Sequence, residues 1–208
     1  MLGKFALKRR TLALGGIMAA TLCLSQVLMP MQARAAEPIK IGFSMALTGP
    51  LAGGGKQALV SMEMWEEDIN KKGGLLGRPV KLIYYDDQTN PKNVPGIYAK
   101  LLDVDKVDFV VSGYGTNLIA PAMPIVIQRE LLFMGLFGLN NNKKWKYDKY
   151  FQILPAGPDP AVDFSRAWFD TVMSLSPKPK TIAFLAADAE FAKNLKEGAV
   201  THAKRLGL

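Results

Sequence analysis

Between Ile39 and Phe137, apolar runs of strand length alternate four times with segments of helical spacing, and this rhythm constrains the fold of the 208-residue chain more than any other feature. Ile39 to Leu47 opens the series, followed by a glycine-rich loop, Thr48 to Gly55. Ala58, Met62, Trp65 and Ile69 then recur at spacings of four, three and four, which places them on one helical face. Asn70-Lys71-Lys72-Gly73-Gly74 ends that helix: the lysines complement the carbonyl end of the dipole and the glycines permit a left-handed cap. Pro79 to Tyr85 alternates Val80, Leu82 and Tyr84 with Lys81, Ile83 and Tyr85, as a strand does. Asn90-Pro91 reads as an N-cap with proline at the first helical position, and Val94, Ile97, Tyr98, Leu101 and Leu102 give that helix a buried stripe. Val107 to Val111 is a third strand, Ser112 to Asn117 leads into a helix ending near Arg129, and Leu131 to Phe137 is a fourth strand. Short connections between such elements predict an α/β fold, a doubly wound parallel sheet with helices on both faces.

The pattern changes after Phe137. A polar segment, Asn140 to Lys149, precedes a strand over Tyr150 to Leu154, and Pro155 to Pro160 is the strongest punctuation in the chain. Val162, Phe164, Trp168, Phe169 and Val172 predict a helix, Thr181 to Ala186 a buried strand, and Phe191 to Leu206 another helix. Residues 36–155 are thus expected to form one α/β lobe and 156–208 the incomplete start of a second, since two helices and one full strand do not close a core. No internal repeat or low-complexity tract interrupts either part.

Residues 1–35 are of another kind. A basic stretch from Met1 to Arg10, an apolar stretch from Leu12 to Met29 and the small residues of Ala33-Arg34-Ala35 predict a signal peptide cleaved before Ala36. The competing reading is a membrane anchor, but Thr21, Ser25 and Gln26 dilute a run that wants roughly 20 continuous apolar residues to span. Arg9-Arg10-Thr11-Leu12 leaves Sec and twin-arginine export both open. The lone cysteine, Cys23, follows Leu22 rather than a small residue, which disfavours lipidation; cleavage leaves no thiol. The net charge of +8 owes much to this leader, which holds Lys4, Lys8, Arg9, Arg10 and Arg34 and no acidic residue. The remainder is close to balance without a basic stripe, so nucleic acid is not an expected partner.

Ligands of open parallel sheets sit outside the carboxyl ends of the strands. Three loops fit that position: Thr48 to Gly55, Ser112 to Asn117 and Gly135 to Asn140. Free amides at the helix start near Asn117, with the Thr116 hydroxyl, suit a carboxylate. The competing reading is that these residues only cap their own helix. A phosphate-binding P-loop is excluded, because Pro50 stands where its first glycine belongs and Gln57 where Ser or Thr belongs. Gly53 to Ala58 satisfies the dinucleotide spacing, with Asp86 closing the next strand, but Thr48 to Ala52 intervene where a tight turn is required. Catalysis finds no constellation. His202 is expected on a solvated surface, Asp86 and Asp87 point to opposite faces as turn and cap groups, and no His/Cys cluster has metal-ligand spacing. No cofactor and no metal are expected.

Three segments in order carry a family resemblance: Ile39-Lys40-Ile41-Gly42 leading to Leu47-Thr48-Gly49-Pro50, then Asp68 to Arg78 (DINKKGGLLGR), then Tyr85-Asp86-Asp87-Gln88-Thr89-Asn90-Pro91. Together they resemble the mature periplasmic solute-binding proteins of leucine/isoleucine/valine-type (branched-chain amino acid) ABC importers, from about Ile39 to the end of the chain. The resemblance implies a type I periplasmic-binding-protein fold, two lobes hinged around a small ligand that is handed to ABC permease subunits in the inner membrane. Those proteins are longer, so the second lobe is expected to be truncated.

By position, Thr116 falls where the family holds the ligand carboxylate with a Ser or Thr hydroxyl, and Asn117 follows it. Phe137-Gly138-Leu139 falls where a small residue's backbone and a Thr hydroxyl hold the amino acid's polar head. Phe191 falls where the second lobe often supplies a Tyr, and Gly54 where some relatives place an aromatic. Leu139 and Phe191 each lack the hydroxyl the resemblance implies, Phe137 changes the volume, and Tyr114, Phe137 and Phe191 add stacking surface. The expected ligand is therefore a less polar carboxylate, aromatic or aliphatic, with an amino acid or amide as the competing reading if Phe137 belongs to the core. A sensory ligand-binding domain and an exported α/β enzyme are the other functional classes; the second would need a nucleophile and base that the sequence does not offer.

Overall fold

The computed structural model describes residues 37–154 and 156–208, so the expected signal peptide, its cleavage site and Cys23 lie outside the described residues. Five parallel strands form one sheet in the order β2-β1-β3-β4-β5: β1 Ile39–Met45, β2 Val80–Asp86, β3 Phe109–Val111, β4 Phe133–Gly135 and β5 Tyr150–Gln152. β1 lies between β2 and β3, with Ile39 opposite Val80 and Met45 opposite Asp86. The reversal of strand order beside β1 is the switch point at which such sheets open a crevice.

Both faces of the sheet are covered, as its apolar runs require. On one face Phe43, Met45 and Leu82 pack with Ala58 of helix α1, Ala52–Lys71. On the other, Val94, Tyr98 and Phe133 meet Leu118, Met123 and Val126 beneath α2, Val94–Asp103, and the segment after β3. Each large side chain buried there contributes about 1.5–3 kcal/mol. Tyr98 is fully buried, sits edge-on to Phe133 at 5.8 Å and donates its hydroxyl to the Val111 carbonyl at 2.6 Å.

Local chemistry moved several boundaries. α1 starts at Ala52, so the glycine run lies in its first turns and not in a loop. Gly55 belongs there because a β-carbon would collide with the Ala46 carbonyl. Of the expected apolar stripe, Ala58 is buried but Trp65 is 42% exposed. Gly73 and Gly74 do form the left-handed end, at φ 97° and 81°. Asn90 does not cap α2: its Oδ1 accepts from the Lys92 amide at 3.1 Å in a preceding turn, and the helix begins at Val94. The single helix expected up to Arg129 is broken into α3, Thr116–Ile119, a 3₁₀ turn, Ala120–Ala122, and α4, Met123–Gln128. Pro121 and Pro124 lack the N–H that a continuous ladder needs.

Two helices follow the sheet, α5, Pro160–Met173, and α6, Glu190–Leu206. They cross closely at Gly198, where a β-carbon would stand 2.8 Å from the Val162 amide nitrogen. His202 is not solvated, contrary to expectation: it is 2% exposed, its Nε2 lies 2.9 Å from the Val162 carbonyl, and its ring stacks on Phe169 at 5.3 Å. The helical contact closes over it because Gly198 admits so near an approach. Thr181 to Ala186 is not a buried strand either. Leu185 is fully exposed and no strand pairs with this run among the described residues, and an apolar run becomes a strand only where a neighbour accepts its hydrogen bonds.

Candidate functional site

Parallel strands deliver all their carboxyl ends to one edge, and there the loops after β3 and β4 run side by side. Tyr114 and Phe137 form a parallel bridge that continues the pairing of β3 with β4, and the Gly115 amide donates to the Phe137 carbonyl at 3.0 Å. Gly115 takes φ 106°, a conformation that favours glycine. The bridge sets the two rings 5.3 Å apart at 40°. Tyr114 also lies over Gly54, where a β-carbon would come 2.6 Å from ring carbon Cε1. The space that Gly54 leaves is therefore filled by the Tyr114 ring rather than left open.

These rings wall a cavity of about 370 Å³, within the range typical of small-molecule sites. Leu51, Tyr114, Asn117 and Phe137 line it from the sheet side, and Phe164 and Phe191 from α5 and α6. Phe164 and Phe191 meet edge to face at 6.1 Å. The polar side chains among these lining residues are few: Asn117 and the hydroxyl of Tyr114.

Four of the seven predicted residues thus share one cavity, and three do not. Thr116 and Leu139 lie behind its wall. Thr116 is 4% exposed, and its hydroxyl oxygen accepts from the Leu139 amide at 3.1 Å, while its carbonyl accepts from Asn141 Nδ2 at 2.8 Å. The hydroxyl proton remains free to donate. Both residues border a second, more polar hollow of about 590 Å³, with Lys143, Lys144, Glu190 and Glu197 around it. Asn117 borders both spaces. Gly138 lines neither and is packed, since a β-carbon there would lie 2.6 Å from Ile119 Cδ1. Leu51 and Phe164 were missed as lining residues. Leu51 sat in a loop already expected to face ligand; Phe164 read only as part of a helical stripe.

The first loop is fastened by acids at the end of β2. Asp86 Oδ1 accepts from the amides of Leu47, Thr48 and Gln88 at 3.0, 3.2 and 2.8 Å, and Oδ2 from the Thr48 hydroxyl at 2.6 Å. Partial burial alone would raise this carboxyl, but the Thr48 hydroxyl and the three amides together hold it below its ordinary value. Asp87 is wholly buried; burial pushes its carboxyl up against the opposing bond from the Thr89 amide at 2.9 Å, and its Oδ2 has no partner among the described residues. Both are turn groups, as their spacing predicted. Among the described residues no cluster of His, Cys, Asp and Glu could hold a metal ion, and no helix is long and apolar enough to cross a membrane.

A parallel α/β sheet with a lined crevice at its carboxyl edge defines a binding fold, and comparison with known proteins places it. The chain belongs to the periplasmic binding protein family, whose match spans residues 38–208. It is 30% identical over 99 residues to the Leu/Ile/Val-binding protein of Escherichia coli K12, covering 48% of this chain and 27% of that protein. A possible leucine/isoleucine/valine-binding protein from Rhodopirellula baltica superposes with a TM-score of 0.71 at 23% identity, over 86% of this chain and 47% of that one. A solute-binding protein of an ABC transporter from Rhodopseudomonas palustris BisB5, in complex with 3,4-dihydroxy benzoic acid, gives a TM-score of 0.63 at 18% identity over 82% and 45%. The chain therefore spans about a quarter of that curated relative's length and about half of the two solved chains. The architecture is the type I periplasmic-binding-protein fold, and these relatives are binding proteins rather than enzymes.

Proposed function

We propose that this protein is the exported, periplasmic solute-binding component of an ABC importer, taking a small aromatic carboxylate and delivering it to the permease subunits. Residues 36–155 form the first lobe in this reading, and residues from 156 onward begin the second. The observation that carries it is the cavity walled by Tyr114, Phe137, Phe164 and Phe191, with Asn117 among its lining residues. Its rings suit a planar apolar body, while the Asn117 side chain suits one anionic end. The E. coli relative is named for leucine, isoleucine and valine and the R. palustris structure holds an aromatic acid, so both ligand types occur among similar proteins. Phe137 and Phe191, which line the cavity, favour the aromatic acid here, because neither offers a side-chain hydrogen bond to an ammonium group.

Thermal-shift and calorimetric titration of the intact protein against benzoate, phenylacetate, leucine, isoleucine and acetamide test this. Benzoate or phenylacetate at 100 times its dissociation constant should add about 2.7 kcal/mol to stability. Shifts by leucine and isoleucine alone overturn the aromatic preference, and no shift by any compound overturns the site. Export is checked by fractionation and N-terminal sequencing, with Ala36 expected as the first residue.

A further inference from the structure

We propose that Asp86 and Thr89 are positioning residues for ligand binding, acting through the first loop on Leu51, which that loop contributes to the cavity wall. The inference rests on the reading of that cavity as the ligand site. One side-chain oxygen ties both ends of the segment Thr48 to Leu51: Thr89 Oγ1 donates to the Thr48 carbonyl at 2.7 Å and accepts from the Leu51 amide at 3.2 Å. Asp86 grips the same segment through the Thr48 amide and hydroxyl. Leu51 in turn packs on the backbone between Tyr114 and Thr116, its Cδ1 3.0 Å from where a β-carbon on Gly115 would stand.

The turn that presents Thr89 is strained. Gln88 and Thr89 both take φ 58°, and a β-branched residue is a genuine outlier there. Such a conformation persists only where the surroundings impose it. Here the Asp86 and Asp87 carboxylates do so, accepting from the Gln88 and Thr89 amides. Asn-Gly would satisfy the backbone of this turn at lower cost, so the Thr89 side chain supplies the reason for the strain. The two loops touch backbone to backbone as well: Gly49, at φ 81°, has no room for a β-carbon, which would meet the Gln88 carbonyl oxygen at 2.7 Å. The strap thus converts a strained turn outside the cavity into a fixed wall inside it.

Thr89→Val keeps the branched shape and deletes both hydrogen bonds, whereas Thr89→Ser restores the hydroxyl. In the intact protein the readouts are the ¹³C-methyl signals of Leu51, the dissociation constant for benzoate and the urea midpoint. Thr89→Val should shift the Leu51 methyl signals, leave those of Leu206 near the end of α6 in place and weaken benzoate binding about tenfold, with Thr89→Ser returning both readouts to wild type. Unmoved Leu51 signals, or unchanged benzoate affinity despite moved signals, overturn the proposal, as does failure of Thr89→Ser to restore them. If Thr89→Val does not fold, Thr48→Val, which removes only the hydroxyl bond to Asp86, is judged by the same outcomes. Wild-type protein that binds no benzoate overturns the aromatic-acid reading instead, and the Leu51 signals still decide whether the strap sets that wall.

Discussion

The ring of Tyr114 rests where the side chain of residue 54 would be, so that a β-carbon on Gly54 would come 2.6 Å from its Cε1 and closer still to Cζ. One residue's missing side chain holds another's ring in place. Because Tyr114 is bridged to Phe137 and paired with its ring, the vacancy at Gly54 sets the aromatic wall of the whole cavity.

Gly54→Ala should separate binding from stability. Alanine improves the helix start by up to about 1 kcal/mol, while displacing Tyr114 costs about 1–3 kcal/mol of overpacking strain. The urea midpoint should change little or fall slightly, and benzoate affinity should fall at least about tenfold. Calorimetry beside urea unfolding checks this, and unchanged affinity would show that Tyr114 does not form the ligand wall.

Thr116→Val should destabilise the protein whether or not ligand is present. It deletes the acceptor for the buried Leu139 amide and leaves that donor unpaired, at about 1–3 kcal/mol. Thr116→Ser should recover most of the loss. Urea unfolding of both variants is the measurement, and a neutral Thr116→Val would mean the amide finds another partner.

Asp86 and Asp87 should give opposite pH signatures. The lowered Asp86 carboxyl contributes stability that is fully present above its unfolded value, about 3.9, and is lost as pH falls through its folded value. Asp86→Asn should therefore cost about 1 kcal/mol at pH 7 and progressively less under acid. The raised Asp87 carboxyl behaves conversely: ionising it while buried weakens the fold as pH rises from the unfolded value, about 3.9, through its higher folded value. Asp87→Asn, which keeps an oxygen for the Thr89 amide, should be as stable as wild type or more so at pH 7. Urea midpoints between pH 3 and 7 distinguish the two, and parallel curves would contradict both assignments.

His202→Ala should loosen the pairing of α5 with α6. It empties a buried position stacked on Phe169 and removes the contacts to the Val162 carbonyl and to Arg205 at 3.0 Å. A loss of about 2–4 kcal/mol is expected, read by near-ultraviolet circular dichroism and hydrogen exchange in α6. A variant as protected as wild type would return His202 to the surface role its sequence context suggested.

The sheet was legible because strand and helix patterns are local. Hydrophobic alternation in Val80 to Tyr85, the stripe from Val94 to Leu102 and the glycine end at Gly73-Gly74 each show in a few neighbouring residues. Pro121 and Pro124 were equally visible, but how far a helix survives two prolines depends on what packs against it. Trp65 sat on the expected face and is still 42% exposed, whereas Ala58 on that face is buried with Phe43, Met45 and Leu82.

The order of apolar periods and turn residues by itself determined the parallel α/β class, the edge where ligand loops gather and the helix start at Asn117, while Phe137 and Phe191 stood out only through the family resemblance of the sequence. Tertiary structure alone decided that Tyr114, Asn117, Phe137 and Phe191 share a cavity while Thr116 and Leu139 stand behind it, that Gly54 makes room for the Tyr114 ring, far along the chain, as opposed to a ligand, and that His202 is buried. Periodicity is a property of neighbours along the chain, whereas burial and shared volume depend on how closely distant segments approach, and that distance is set only once the elements have packed.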